Sequence, residues 1–362
     1  MKSPLNILFI TAFPPNSRTA GQDYTRRLLD DLAGRGHSVS LVYASYPGHE
    51  AELDGRISVL SVIRPSLKNC LNHPQFHPFF TRRLDRTVLS LIQSSAPRFD
   101  MLYFDFSQVH LYSLFVSHPN KVLMCHDVIA QKFSRKGRAQ LPWIKRTEKA
   151  VLASASSIFA FSRKDCGVIK TEYGLDSSAV HFYLKNERFD YDSANVTVRE
   201  NTFCFYGAWN RAENAEGLVW FLKKVLPLVS SGIKFVVIGG GLSGRLKKRL
   251  SAVSAVECLG FVDEPLSEIA RCQALVAPLF KGAGVKVKVI DALTSGTSVI
   301  GTDVAFEGIE DNAVRSLFHR ADSASAFAQI LNSWNSVSAS EKQAASDEFC
   351  SRYNSCRFAD TV

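Results

Sequence analysis

The residues best suited to do chemistry lie between Val276 and Ile309, in VAPLFKGAGVKVKVIDALTSGTSVIGTDVAFEGI. An apolar run, VAPLF, breaks at Lys281-Gly282-Ala283-Gly284. It leads into a helical pattern, VKVKVIDALTSG, closed by Gly296 before a second apolar run, SVIGT. Glycines at a strand-to-helix turn let the backbone approach a ligand closely, and the first N–H groups of the helix are left unpaired. Such a turn favours an anion, above all a phosphate. Lys286 and Lys288 fall in the first turns of that helix, where the dipole disfavours a cation unless a bound anion offsets it. The competing reading is two lysines on a solvated helix face.

Three further groupings invite a chemical reading. His126-Asp127 closes the apolar run KVLMCHDVI, and open parallel sheets bind ligands at the C-terminal ends of their strands; the alternative is a structural histidine. Gly239, Gly241 and Gly244 stand in G-x-G-x-x-G spacing after KFVVI, with Glu257 roughly where a ribose-binding acid would fall. That spacing suits NAD. The preceding unit, with its GAWNR turn, is nevertheless no dinucleotide fingerprint, and no hydride-shuttling residue accompanies it. His73 and His77, four apart, suggest a metal pair on a helix. Pro74 and Pro78 argue against a helix there, no acidic partner lies nearby, and no metal is expected.

The elements that must position these residues follow an alternating pattern. LNILFITAF (5–13) is a near-continuous apolar run, the mark of a strand buried on both faces of a parallel sheet. DYTRRLLDDLAGRG (23–36) is an amphipathic helix with Leu28, Leu29 and Leu32 inward, and HSVSLVYAS (37–45) and ISVLSVI (57–63) are strands. FDMLYFDFS (99–107) and KVLMCHDVI (121–129) add parallel strands, WIKRTEKAVLASAS (143–156) a helix, and SSIFAFSRKD a strand with Ser162 in the loop after it. Between them lies an irregular region, LNHPQFHPFFTRRLDRTVLSLIQ. Its Phe76, Phe79 and Phe80 beside Arg82 and Arg83 read either as a surface-active acceptor region or as a core-facing aromatic cluster with a basic rim. HFYLKN (181–186) ends this half, ERFDYDSANVTVREN is a polar linker, and TFCFYGAWN (202–210) restarts the pattern with the helix AEGLVWFLKKVLPLV behind it. The fold class expected is α/β, two Rossmann-like parallel-sheet domains over 1–185 and 200–335.

GAGVKVKVIDALTSGTSVIGTDVAFEGI resembles the donor-binding segment of the family 4 (group 1) glycosyltransferases, retaining enzymes of the GT-B fold. It is closest to the branch that writes G-x-G-[IVL]-x-x-K-[VL]-[LI]-[ED]-A-L. The β-loop-α-β opening, with its loop ending at Gly21, and the His126-Asp127 step are similar to the same family. The resemblance is strong across 203–310, fair over 5–45 and 121–165, and weak over 50–118, where the acceptor side varies. It implies two domains facing a central cleft, with a tail helix over about 338–362 packing back on the first. The donor would be a nucleotide-diphosphate sugar, and the acceptor a glycan or a lipid-linked molecule of surface polysaccharide synthesis.

Carried over residue by residue, the resemblance places the donor against Gly21, Trp209, Arg211, Asn214, Gly239, Gly240, Gly282, Gly284, Val285, Lys286 and Lys288. It gives Asp291 the ribose hydroxyls, and His126 and Glu307 the orientation of the sugar. His126, Asp127 and Lys288 would be catalytic, with no metal and no cofactor beyond the donor itself. The chain departs from the better-known Glu-x7-Glu pattern: Asp291 stands at the second Glu, while the first falls on Ala283, or on Lys281 with a gap. The turn with Arg211 also lacks the Lys expected five residues on, and Lys286 or Lys288 is the expected replacement. No carboxylate pair at hydrolase spacing can be assigned, so the resemblance implies front-face attack, the leaving diphosphate accepting the proton. The alternatives are an inactive sugar-nucleotide or glycan-binding module and, further off, an NAD-dependent oxidoreductase.

Composition bounds these readings. The chain has 362 residues, 46% apolar and 21% charged, enough for two cores in a globular protein. No apolar run reaches the ~18 residues that would suggest a membrane span, and MKSPLNILFITAF reads as a buried first strand, not a signal peptide. Eight cysteines without a C-x-x-C pair suggest buried thiols of a reducing cytoplasm. The net charge of +9 gathers in RRLDR (82–86), KFSRKGR (132–138) and RLKKR (245–249). Without a nucleic-acid-binding motif this charge points to phosphorylated acceptors or to peripheral contact with anionic lipid at the inner face of the cytoplasmic membrane, and not to nucleic acid.

Overall fold

A computed structural model describes residues 3–134, 139–309 and 315–362; Arg135, Lys136, Gly137 and Arg138 of the second basic run lie outside the described residues. The chain divides into two compact units, one of Met1–Tyr183 with Cys356–Val362 and one of Leu184–Ser355.

The first unit is built on seven parallel strands: β1 (Asn6–Thr11), β2 (Ser38–Ala44), β3 (Ser58–Ile63), β4 (Met101–Asp105), β5 (Lys121–Cys125), β6 (Ser157–Ala160) and β7 (Ser178–Ala179). They lie in the order β3-β2-β1-β4-β5-β6-β7. The order reverses between β1 and β4, where open α/β sheets leave a crevice at the strand ends. Thr11 and Asp105 close these two strands side by side. Every residue of β4 is buried, as are Ile7–Ile10 in β1, which is why both read as apolar runs without alternation. The helix Ala20–Gly34 is started by Thr19, whose side chain accepts from the Gln22 N–H, and buries Tyr24, Leu28, Leu29 and Leu32.

His73 and His77 share no helix, in keeping with Pro74 and Pro78: both lie in the non-helical stretch between the helices Lys68–Asn72 and Pro78–Thr81, and a further helix runs Arg86–Ser95. Pro78 occupies the first helical position, where its missing N–H costs nothing, and His77 caps the turn by accepting from the Phe79 N–H. Phe80 is fully buried and Phe76 and Phe79 pack against the core, so the aromatic cluster faces inward while Arg82 stays exposed.

The second unit repeats the plan with β8 (Thr202–Tyr206), β9 (Lys234–Ile238), β10 (Val256–Gly260), β11 (Ala274–Ala277), β12 (Ser298–Gly301) and β13 (Phe318–Arg320), all parallel. Their order is β10-β9-β8-β11-β12-β13, reversing between β8 and β11. The segment expected to be a polar linker is packed here instead: Phe189, Tyr191 and Val196 are buried against Leu266 and Ala270. The tail also differs from expectation. Its helix, Ala339–Tyr353, belongs to this unit, and only Cys356–Val362 joins the first. Lys342 is buried, its ammonium donating to the carbonyls of Ala270 (2.7 Å) and Cys272 (2.5 Å). Ser346 Oγ donates to the Thr294 carbonyl at 2.6 Å, and the Tyr191 hydroxyl to that of Ser295 at 2.7 Å. Gly296, in the left-handed region, has no space for a Cβ, which would meet the Lys342 carbonyl oxygen at 1.8 Å. All eight cysteines are free; Cys125, Cys204, Cys272 and Cys350 are buried, whereas Cys258 is exposed and the others are intermediate.

Candidate functional site

In the second unit three strand-to-helix turns meet at the C-terminal ends of β8, β9 and β11. The turn after β11 runs through Gly282 (φ 119°) and Gly284 (φ 67°), conformations that side-chain-bearing residues rarely adopt, into the helix Val287–Thr294. Lys286 caps that helix and Lys288 is its second residue, as the sequence pattern predicts. Lys288 Nζ donates to Asn214 Oδ1 at 2.6 Å, and Asn214 Nδ2 donates to the Ala208 carbonyl at 2.8 Å. The side chain of Asn214 therefore ties the turn after β8 to the helix after β11.

Glycines make this convergence possible. A Cβ on Gly207 would lie 2.9 Å from both Lys288 Nζ and Asn214 Nδ2. A Cβ on Gly239 would meet the Gly207 carbonyl oxygen at 2.1 Å, and one on Gly241 the Asn210 nitrogen at 2.9 Å. Gly239 and Gly241 thus serve turn-against-turn packing. The dinucleotide reading loses its acid as well: Glu257 lies in the first half of β10, exposed and 4.0 Å from Arg199 ahead of β8, away from the glycine turns.

The electrostatics single out Lys288. Part of its side chain meets solvent, but the ammonium is crowded by protein, and this desolvation lowers its pKa from 10.5 to about 7. Glu213 opposes that shift, while Arg211 and Lys286 add to it. Three cations thus act on one small volume beside the N-terminus of the helix Val287–Thr294, an arrangement that an anion would relieve. Lys286 is less available: its Nζ donates to the Gly284 carbonyl at 2.6 Å and lies 3.8 Å from the Glu307 carboxylate. Asp291 is buried, its carboxylate 3.7 Å from Lys185 Nζ, which donates to the Tyr206 hydroxyl at 3.1 Å. Arg211 is exposed at the start of the helix Ala212–Trp220, and Gly240 and Val285 are partly exposed in their turns. Trp209 does not join the donor residues expected of it. Its ring is in the core, 4% exposed, and its only donor, Nε1–H, is used on the Ile238 carbonyl at 3.1 Å.

The first unit gathers a second cluster at the ends of β1, β4 and β5. His126 Nε2 is 2.7 Å from Asp105 Oδ1, and the other carboxylate oxygen accepts from Thr25 Oγ1 at 2.5 Å and Thr11 Oγ1 at 3.2 Å. The imidazole stacks on Phe106, with centroids 3.5 Å apart and planes at 14°, and meets Phe161 and Tyr24 edge-on. Gly21 belongs to the same cluster, because a Cβ there would lie 2.9 Å from Phe106 Cζ. Asp127 does not belong to it: its carboxylate pairs with Lys132 at 2.7 Å. The helix that begins at Ile129 has its first donors taken. Glu148 accepts from the N–H groups of Ile129 and Ala130 (2.7 and 2.8 Å) and from the Tyr173 hydroxyl (2.6 Å).

Asp105 and Glu148 are the two residues that sequence reasoning missed. For Asp105 a signal exists, an acid closing an otherwise apolar strand in FDMLYFDFS. His77 Nε2 lies 3.0 Å from Gln140 Oε1, and His73 packs on Phe115. Among the described residues no three His, Cys, Asp or Glu side chains are grouped to hold a metal.

Each unit matches a glycosyltransferase family model. Residues 21–182 match the model described as Glycosyltransferase Family 4, and residues 200–334 the one described as Glycosyl transferases group 1. Together these matches take in most of the chain, which belongs to the family 4, group 1 glycosyltransferases. Over 182 residues it is 28% identical to an "uncharacterized 44.6 kDa protein in cps region" of Klebsiella pneumoniae. That alignment takes in 46% of this chain and 44% of the relative, so it spans less than half of either. The fold is similar to that of WaaG, a glycosyltransferase involved in lipopolysaccharide biosynthesis, with a TM-score of 0.66, 13% identity, and coverage of 96% of this chain and 95% of that one. It is also similar to HepE of Anabaena in complex with UDP and glucose, with a TM-score of 0.64, 13% identity, and coverage of 99% and 96%. These likenesses establish the two-unit GT-B class of fold.

Proposed function

We propose that the protein transfers a sugar from a nucleoside-diphosphate sugar to a hydroxyl of a glycan or lipid-linked acceptor in surface polysaccharide synthesis. Transfer proceeds with retention at the anomeric carbon and without a metal. The observation that carries this reading is the desolvated ammonium of Lys288, held by Asn214 where three glycine-bearing turns meet beside a helix N-terminus. A diphosphate supplies the negative charge that this arrangement lacks.

The second unit holds the donor. Lys288, Arg211 and the first N–H groups of Val287–Thr294 stabilise charge growing on the leaving diphosphate. Lys286 acts indirectly, tying the glycine turn to Glu307, which orients the sugar. Asp291, next to Lys185, takes the ribose hydroxyls. In keeping with the sequence, in which no carboxylate pair at hydrolase spacing can be assigned, a diphosphate oxygen accepts the proton of the attacking hydroxyl on the same face. HepE's complex with UDP makes uridine the first base to test, and the Klebsiella relative's place in a cps region agrees with a surface-glycan acceptor.

A thermal-shift screen of UDP, GDP, dTDP, ADP, CMP and NAD, each with and without EDTA, tests this reading. A ligand at ~100 times its dissociation constant stabilises by roughly 2.7 kcal/mol. One nucleoside diphosphate should raise the midpoint equally with and without EDTA, and its sugar conjugate should be consumed. Stabilisation by NAD alone overturns the proposal; donor binding without any turnover leaves an inactive binding module.

A further inference from the structure

His126 is held so that only one edge of its ring is left for a ligand. Asp105 is fully buried, and both of its oxygens are in use: Oδ2 accepts from Thr25 and Thr11, and Oδ1 faces His126 Nε2 at 2.7 Å. A carboxylate in that setting only accepts, so the proton between Oδ1 and Nε2 resides on the imidazole. In the neutral ring Nδ1 then carries a lone pair. Among the described residues Nδ1 has no hydrogen-bond partner. It faces Gly21, the second residue of the helix Ala20–Gly34, where a Cβ would stand 3.6 Å away.

The ring plane is fixed as firmly as the tautomer. Phe106 adopts φ 67°, the left-handed region that a bulky residue rarely enters, and this places its ring flat against the imidazole at 3.5 Å. Phe161 and Tyr24 close the edges. Gly21 completes the fit, since any side chain there would strike Phe106. Strain at Phe106, a glycine cut to fit it and a buried acid with three donors all serve the orientation of one imidazole.

We infer that Asp105 is a positioning residue that fixes His126 as the Nε2–H tautomer, so that Nδ1 accepts a hydrogen bond from a substrate hydroxyl. A lone pair at this edge favours a group that brings its own proton and repels a phosphate or carboxylate oxygen. This end of the first unit therefore reads a hydroxyl and not an anion. The identity of the hydroxyl rests on the glycosyl-transfer reading; the tautomer does not.

The test is nitrogen NMR of the imidazoles in the full chain labelled with 15N-histidine. Signals of the nine histidines are assigned to His126 by their loss in His126→Gln. The wild type should show a protonated Nε2 and an unprotonated Nδ1 at His126. Asp105→Asn can turn an amide N–H toward the ring; it should shift the ring to the other tautomer or to a mixture, and lower kcat/KM roughly tenfold to a hundredfold. Thr25→Val, which removes one donor from Asp105 but keeps the carboxylate, should keep the wild-type tautomer. A wild-type ring protonated on Nδ1 overturns the inference even if Asp105→Asn does not fold, and so does an Asn variant with unchanged spectrum and activity. The expected tautomer in a protein that consumes no sugar nucleotide upholds the inference and overturns the proposed function.

Discussion

Donor binding should draw a proton from solution, and Lys288 should be where it goes. In the free protein burial lowers the Lys288 pKa to about 7, so that at pH 8.5 only roughly 3% of the side chains are charged. A diphosphate seated against the ammonium restores the charged form. If the pKa returns to its ordinary range near 10.5, uptake at pH 8.5 approaches one proton per ligand. The sign follows from linkage: the complex binds more protons than the free protein between the two pKa values, so affinity falls as pH rises through that window. The fall should approach tenfold per pH unit above about 7.5. At pH 8.5 the last ionisation of the diphosphate, near 6 for a phosphate monoester, is complete and does not confuse the count. Calorimetric titration of UDP in two buffers of different ionisation enthalpy measures the uptake directly. Wild type should take up close to one proton, and Lys288→Met close to none, with binding weakened a hundredfold or so by the lost charge-assisted bond. Equal proton uptake by both proteins would refute the argument, as would affinity that does not change between pH 7.5 and 8.5.

Two other outcomes follow from single atoms. Gly207→Ala should weaken UDP binding at least tenfold in the same titration, because the new methyl would stand 2.9 Å from Lys288 Nζ at a backbone φ of 156°; wild-type affinity would show that the turn yields. If the net charge does bring the protein to anionic lipid, Leu67 and Leu71, 71% and 80% exposed on either side of Lys68, would supply the apolar part of the contact. Flotation with vesicles containing anionic lipid should recover the wild type at low salt but little Leu71→Asp, and recovery of neither would remove the membrane from the account. Among the described residues no helix is long and apolar enough to cross a membrane.

The parts that were readable in the sequence are those with a local cause. Strands buried on both faces leave unbroken apolar runs, which is how β1, β4 and β5 stand out. Gly282, Gly284 and Gly296 mark turns because their backbone angles exclude most side chains. Lys288 is legible as a cation at the wrong end of a helix. What escaped depends on partners distant in the chain. Asp105 becomes meaningful only when His126, 21 residues on, is brought to the next strand end. Glu148 caps a helix that begins 19 residues before it. Trp209 looked like part of a ligand turn because nothing local says that its ring points into the core. Phe189, Tyr191 and Val196 are spaced among charges, so their joint burial left no periodic trace.

The anchoring of the tail helix sets the practical boundaries of the second unit. Its side chains receive the carbonyls at the far end of the lysine-bearing helix through Ser346, and Tyr191 of the preceding segment does the same. Residues 186–200 and 339–353 are thus structural members of that half, although they flank its sheet in the chain. Anyone exchanging this unit between relatives must cut at Leu184 and after Ser355. A graft trimmed to the strands and their helices would carry the lysines across without the scaffold that aims them.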